Sequence, residues 1–202
     1  MRHHCRHEVL IALMVCVLIV SACSFTQPSR FYTLSSLSDA GEVKTGAESD
    51  LALGVGPISL PNYTDRTEVV TRASPNEFYF AEFDRWAEPL QDVFSRVVIE
   101  NLSVLLATDR VFMVPGRRAT LVDRQVEIQV TRFDADVGGP AVLGARWEIL
   151  DNDGRSLLVR RSTFTEPVTG EGYGAVATAM SRTVAALSRE IATAIRSLPR
   201  RQ

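Results

Sequence analysis

The thiol of Cys23 is the group in this chain whose setting points to one particular reaction. It follows Val20-Ser21-Ala22, at the end of an apolar run from Val9 to Val20 that is preceded by Arg2 and Arg6. A basic start, a short apolar stretch and small residues before a cut site mark a secretory signal peptide. The run of about 12 residues falls short of the roughly 20 that cross a bilayer. Val20-Ser21-Ala22-Cys23 also matches a lipobox, in which small residues admit the peptidase to the backbone and the cysteine sulfur takes a diacylglycerol. Cleavage after Ala22 is expected, with Cys23 left as the lipidated first residue. Ser24 stands where an aspartate usually signals retention at the inner membrane. The expected location is therefore the outer membrane of a Gram-negative cell, facing the periplasm.

Processing would change the chemical inventory. Residues 1–22 contain His3, His4 and His7, the only histidines, together with Cys5 and Cys16. The 22 basic and 24 acidic residues become 20 and 23, a formal charge of −3, and Lys44 is the one lysine. Without imidazole there is no Ser-His-Asp or Cys-His nucleophile system. Without histidine or a free thiol the usual zinc ligand sets cannot form, and one cysteine makes no internal disulfide. The mild acidity and the lack of a basic cluster argue against nucleic acid as a partner. No cofactor is expected, and the inventory points away from an enzyme.

A carboxylate mechanism stays open through Glu82, Asp84 and Glu88, although Arg85 among them suits solvated charge near a helix start. Asp151-Asn152-Asp153-Gly154 begins like a calcium loop, but the twelfth residue is Ser162, where a bidentate acid belongs. A hairpin turn explains those residues. Gly54-x-Gly56 lacks the third glycine and is followed by proline, so it is no nucleotide loop. The stretch from Phe78 to Leu90 places four aromatic residues before Trp86. Alternation puts Phe78 and Phe80 on one face and Tyr79 on the other. Such a cluster can be core, a lipid-contacting groove or a protein interface, and core is the ordinary reading.

Positioning these groups falls to a simple succession of elements. Phe31–Leu34 reads as a short strand, and residues 35–50, rich in Ser, Gly, Asp and Glu, as a linker or long loop. Strands follow at Leu51–Leu60, Glu68–Arg72 and Glu77–Phe83, then a helix from Trp86 to Leu106, with Pro89 in its first turn. Val111–Val114 is a short strand. Val126, Ile128 and Val130 alternate with polar residues, as do Ala145, Trp147 and Ile149, and a strand spans Leu157–Phe164. The last helix, Tyr173–Leu198, carries a stripe of Val176, Met180, Val184, Leu187, Ile191, Ile195 and Leu198. Packing on the domain's own sheet is its ordinary reading, and docking of a partner the sharper one. Strands followed by a helix, twice over, predict one α+β domain with two long helices on a mostly antiparallel sheet. Residues 1–22 are then the signal, 23–50 the lipidated N-terminus with its strand and linker, and 51–202 the domain.

Several ordered blocks carry a family resemblance. They are Phe31-Tyr32-x-Leu34, Gly56-Pro57-Ile58-x-Leu60-Pro61-x-Tyr63 and Asp65-Arg66-x-x-Val69-Val70-x-Arg72. Arg85-Trp86-Ala87-Glu88-Pro89-Leu90, Asn101-Leu102, Arg132-Phe133-Asp134, Val142-Leu143-x-Ala145-x-Trp147 and Ala179-Met180-Ser181 through Leu187 complete the set. In this order they resemble the ABC-type transport auxiliary lipoprotein family, with Thr64 departing from the leucine often found there. The resemblance implies a non-enzymatic accessory subunit of an ABC transporter that works with an MCE protein and moves phospholipids or other hydrophobic molecules between two membranes. ATPase, permease and MCE subunits would be separate chains. A homo-oligomer is compatible with it. From their place in the blocks, Tyr63, Arg66, Arg72, Arg85, Trp86 and Glu88 are expected to contact a partner or position the contact. The alternative is a structural or assembly lipoprotein of another envelope machine, such as a secretion channel.

Overall fold

In the computed structural model, which describes residues 27–41, 50–115 and 122–199, the alternation of Val126, Ile128 and Val130 forms the strand it predicts. That strand, β6 (Arg124–Asp136), is the longest of eight in one sheet. Along one edge it pairs antiparallel with β7 (Ala141–Asp151), which pairs in turn with β8 (Ser156–Glu166). Its other edge is shared. β2 (Leu53–Ser59) runs parallel to its first part, and β3 (Glu68–Ser74) runs parallel to its last two residues. β5 (Val111–Met113) lies outside β2, while β4 (Glu77–Trp86) and then β1 (Arg30–Tyr32) lie outside β3. Helix α1 (Leu90–Leu106) follows the fourth strand and α2 (Gly172–Ser197) the eighth. The chain is α+β, strands then helix, twice. The long ladders are antiparallel, and the short ones add parallel pairs that make the sheet mixed.

Both helices cover one face of the sheet and pack on each other. The α2 stripe does the ordinary thing: Met180, Val184, Leu187, Ile191 and Ile195 are buried, with Val176 and Leu198 half-buried at its ends. Opposite them lie Trp147, Ile149 and Leu143 of β7, while Phe94 of α1 meets Phe133 of β6 edge to face at 5.1 Å. Helix α1 starts at Leu90 rather than Trp86. Trp86 instead completes β4, donating its backbone N–H to Thr67 O at 2.7 Å, and Pro89 stands just ahead of the first turn. Among the described residues no helix is long and apolar enough to cross a membrane. Residues 1–26, and with them the expected signal and Cys23, lie outside the described residues.

The expected linker gives way at its start to packed structure. Leu34, Ser36 and Leu37 are buried, although the surrounding Ser, Gly and Asp residues suggest a solvated loop. Asn101 of α1 explains why. Its Oδ1 accepts the backbone N–H of Leu37 at 2.7 Å, while its amide nitrogen faces Ser188 Oγ of α2 at 3.4 Å. Ser181 Oγ of α2 accepts the N–H of Ser35 at 3.0 Å. The segment after β1 is thereby held against both helices, and burying each of its two leucines adds about 1.5–3 kcal/mol. Residues 42–49 of that linker lie outside the described residues.

Gly56 has a structural reason to be glycine. Its φ is +129°, and a Cβ there would stand 2.0 Å from the carbonyl oxygen of Val114. The Asn152-Asp153-Gly154 turn joins β7 to β8, with Asp151 Oδ1 accepting the N–H groups of Asp153 and Arg155. Replacing Asn101 tests the clamp. Asn101→Ala leaves the buried N–H of Leu37 without its acceptor, which costs about 1–3 kcal/mol. The expected outcome is a lower urea midpoint together with faster amide exchange at Leu37, measured by hydrogen exchange. An unchanged Leu37 amide would contradict the clamp.

Candidate functional site

Sharing one edge of β6 between two strands creates a problem that the sequence solves with a tyrosine. Strand β2 stops pairing at Gln129 and β3 begins at Ala135, so the backbone between has no strand partner on that side. The chain crosses this gap through a 3-10 turn at Asn62–Thr64. Tyr63 from that turn accepts the N–H of Phe133 on its hydroxyl oxygen at 2.8 Å and donates its own proton to Asp134 Oδ2 at 2.8 Å. A buried backbone donor left unpaired would cost as much as a lost hydrogen bond.

The same gap holds a register shift between Val130 and Arg132. Such a bulge adds a residue and changes which side chains face which side. Before it, Gln125, Glu127, Gln129 and Thr131 face away from the helices; after it, Arg132, Asp134 and Asp136 do. Asp134 is nevertheless fully buried, because Tyr63 and two arginines cover it. Arg72 of β3 reaches Oδ2 through Nη2 at 2.9 Å, and Arg132 reaches Oδ1 through Nε at 2.9 Å. Arg132 bonds Asp136 as well, so two cations meet two anions.

Aromatic rings extend the cluster across the face. Tyr63 stacks on Phe78 with centroids 4.5 Å apart, and the Arg72 guanidinium lies 4.3 Å from the Phe78 centroid. Arg66 lies 3.9 Å over Phe80 in the same manner. Phe78 and Phe80 do share a face, paired with Arg72 and Val70, as alternation predicts. The result is a row of stacked rings and guanidinium planes, each exposed contact contributing about 0.5–1 kcal/mol. Burial pushes the Tyr63 phenol up to about 12; the N–H of Phe133 pulls the other way, and the Asp134 carboxylate adds to the rise. The hydrogen bond to Asp134 holds Arg72 above its usual range.

The structure divides the six expected contact residues. Tyr63, Arg66 and Arg72 come together here, with Phe78, Phe80, Arg132 and Asp134 as partners the sequence reading did not select. The Arg132-Phe133-Asp134 block was the available signal. Arg85 sits on the same face, opposite Glu68 and Phe31, with its Nε buried and without a hydrogen-bond partner. Trp86 points the other way into the core, 4 % exposed. Glu88 stands before α1 in an exposed ion pair with Arg96 at 2.8 Å. The three carboxylates do not act together either. Tyr32 donates to Asp84 at 2.7 Å with Arg30 beside it at 3.0 Å, whereas Glu88 belongs to Arg96. An open groove of about 590 Å³ runs between α1 and the β2–β5 edge, lined by Ile58, Gln91, Ile99, Met113 and Pro115 among others. Among the described residues, neither place gathers a nucleophile and a base.

Residues 32–192 match the family described as ABC-type transport auxiliary lipoprotein component. The intermembrane transport lipoprotein PqiC of Escherichia coli K12 is 23 % identical over 186 residues, covering 92 % of this chain and 96 % of PqiC. PqiC of Shigella flexneri aligns with the same figures. Among solved structures, an uncharacterized protein superposes with a TM-score of 0.67 at 20 % identity, covering 84 % of this chain and 99 % of that one. Protein XCC0632 from Xanthomonas campestris superposes with a TM-score of 0.66 at 20 % identity, covering 81 % and 93 %. These two likenesses establish the fold.

The raised Tyr63 phenol gives the site a signature in alkaline solution. The folded state favours the neutral form, so that stabilisation is complete below pH 10 and lost as the pH climbs towards 12. An ultraviolet difference titration against Tyr63→Phe is expected to assign the last-ionising phenol to Tyr63. The variant also strands the N–H of Phe133 and is expected to lose about 1–3 kcal/mol in urea denaturation. A Tyr63 phenol ionising near 10 would contradict the bridge.

Proposed function

This chain belongs to the ABC-type transport auxiliary lipoprotein family, and from that premise we propose that it is the lipid-anchored periplasmic subunit of an MCE-type transport system. It acts by docking and tethering while phospholipids or other hydrophobic molecules pass between inner and outer membranes. The family is one of transport auxiliaries rather than enzymes. The observation that carries the reading is a likeness to PqiC, an intermembrane transport lipoprotein, that takes in nearly the whole of both chains.

In this reading Cys23 carries the acyl chains, and more than one chain is what stable anchoring requires. Six residues lie between Cys23 and Arg30, the start of β1, which makes seven Cα–Cα steps. At 3.3–3.6 Å per residue they reach at most about 25 Å, so the tether is short. The partner meets the stacked face, through Tyr63, Arg66, Arg72 and Arg85. Tyr63, Arg66 and Arg72 are held in place by rings and a carboxylate before any partner arrives, and little of their side-chain entropy is lost on docking. Trp86 supports this face from behind, and Glu88 sits beside it at the head of α1.

Two measurements check the reading. Cys23→Ala is expected to move the protein from the membrane to the soluble fraction and to abolish palmitate labelling. Affinity capture from solubilised envelopes is expected to recover MCE and ABC subunits, and Arg66→Glu to lower that recovery about tenfold, the equivalent of 1.4 kcal/mol. Recovery of a secretion channel in their place, or of no transport subunit, would overturn it.

A further inference from the structure

The end of the sheet towards which the start of β1 points exposes several apolar side chains. Strand β1 runs parallel to β4, with Arg30 beside Asp84 and Tyr32 beside Trp86. The residues before Arg30 therefore leave β1 in the direction of the β3–β4 turn, where β4 begins. Strand pairing brings two other features to that end. Arg72 lies opposite Asp136, so the β6–β7 turn is there, and Ala141 lies opposite Glu166, which places the link from β8 to α2 there too. Seven large apolar side chains are exposed among the described residues, and three of them belong to this end: Tyr79, Phe80 and Val137. Val137, at the β6–β7 turn, is 61 % exposed, and Tyr79 is 54 % exposed. Leu157 and Val159 lie at the opposite end, beside the β7–β8 turn.

We propose that this end of the domain rests on the bilayer that holds the anchor, with Tyr79, Phe80 and Val137 entering the headgroup region. The proposal rests on the reading of Cys23 as the lipidated residue. Tyr side chains favour the membrane–water interface, where an apolar body and a polar tip are both satisfied, and Phe adds apolar surface to bury there. Acidic groups share the region, Glu77 on β4 and Asp136 on β6, so the contact is apolar rather than driven by a basic patch. A tether of at most about 25 Å keeps the patch at high effective concentration beside the surface, and a weak intrinsic affinity suffices. The lipid surface then sets the tilt of the domain. Strand β6, 13 residues long, carries the Asn152–Gly154 turn about 43 Å away from the surface at 3.3 Å per residue.

The full lipidated protein in vesicles of phosphatidylethanolamine and phosphatidylcholine tests this. A polarity-sensitive fluorophore is placed at Val137→Cys or at Leu157→Cys, and lipids brominated on the acyl chain serve as quenchers. The expected result is several-fold stronger quenching at position 137 than at position 157, with the difference lost when Tyr79→Glu and Phe80→Glu are added. Equal quenching at both positions, or stronger quenching at 157, overturns the proposal. So does a probe at 137 that lipid leaves untouched and that an added envelope partner shields. The mass of the N-terminal peptide separates the two readings. A missing acyl mass sinks the anchor and the orientation together, whereas an acylated Cys23 with an unquenched probe at 137 sinks the orientation alone.

Discussion

The hydroxyl of Tyr63, set between the N–H of Phe133 and the carboxylate of Asp134, lets one strand serve two neighbours on the same edge. Strand β6 must give its first part to β2 and its end to β3, and the chain has to leave the sheet and return in between. A crossing of that kind breaks a ladder, and buried ladder groups need partners. Tyr63 supplies one from outside the sheet. Once its oxygen is fixed there, Asp134 can be buried, and Arg72 and Arg132 are drawn over it. Rings and guanidinium planes then have a floor to stack on. Removing a partner from a buried charge typically costs about 3–5 kcal/mol, so the cluster stands or falls as a unit.

Much of the scaffold was legible because it follows a single period. The α2 stripe and the alternation in β6 each report one face of one element, and burial follows the pattern closely. The bulge at Val130–Arg132 was not legible, since a register shift shows only against a partner strand. Its consequence is large. It turns Asp134 to the outer face, where no residue-type rule would look for a fully buried acid. The start of α1 is ambiguous in sequence because Trp86 fits either the end of a strand or the start of a helix. Pairing to Thr67 decides the matter.

The site itself was half legible. Tyr63, Arg66 and Arg72 stood in ordered blocks and do converge, whereas Trp86 and Glu88 stood in another and diverge. Neighbours in sequence at a strand's end point to opposite faces, so a block marks a place in the chain and not a surface. Arg85 and Trp86 illustrate this, one on the outer face and the other in the core. Composition misled in the other direction at residues 34–37. The backbone N–H groups of Ser35 and Leu37 go to Ser181 and Asn101, far away in sequence, and no local signal announces it.

That clamped segment also sets how load would pass through the molecule. Strand β1 pairs in parallel with β4, so tension applied at Arg30 along the strand axis acts along β1 rather than across it. Hydrogen bonds pulled along the strand share the force and must slip together, whereas bonds pulled open from one end fail in turn. Beyond β1 the same tension meets the buried Leu34 and Leu37, with Asn101 gripping the backbone. The coupling between chain end and domain is therefore a shear joint backed by a wedge. A protein spanning a gap between moving structures would extend under load at its tether before its fold gave way.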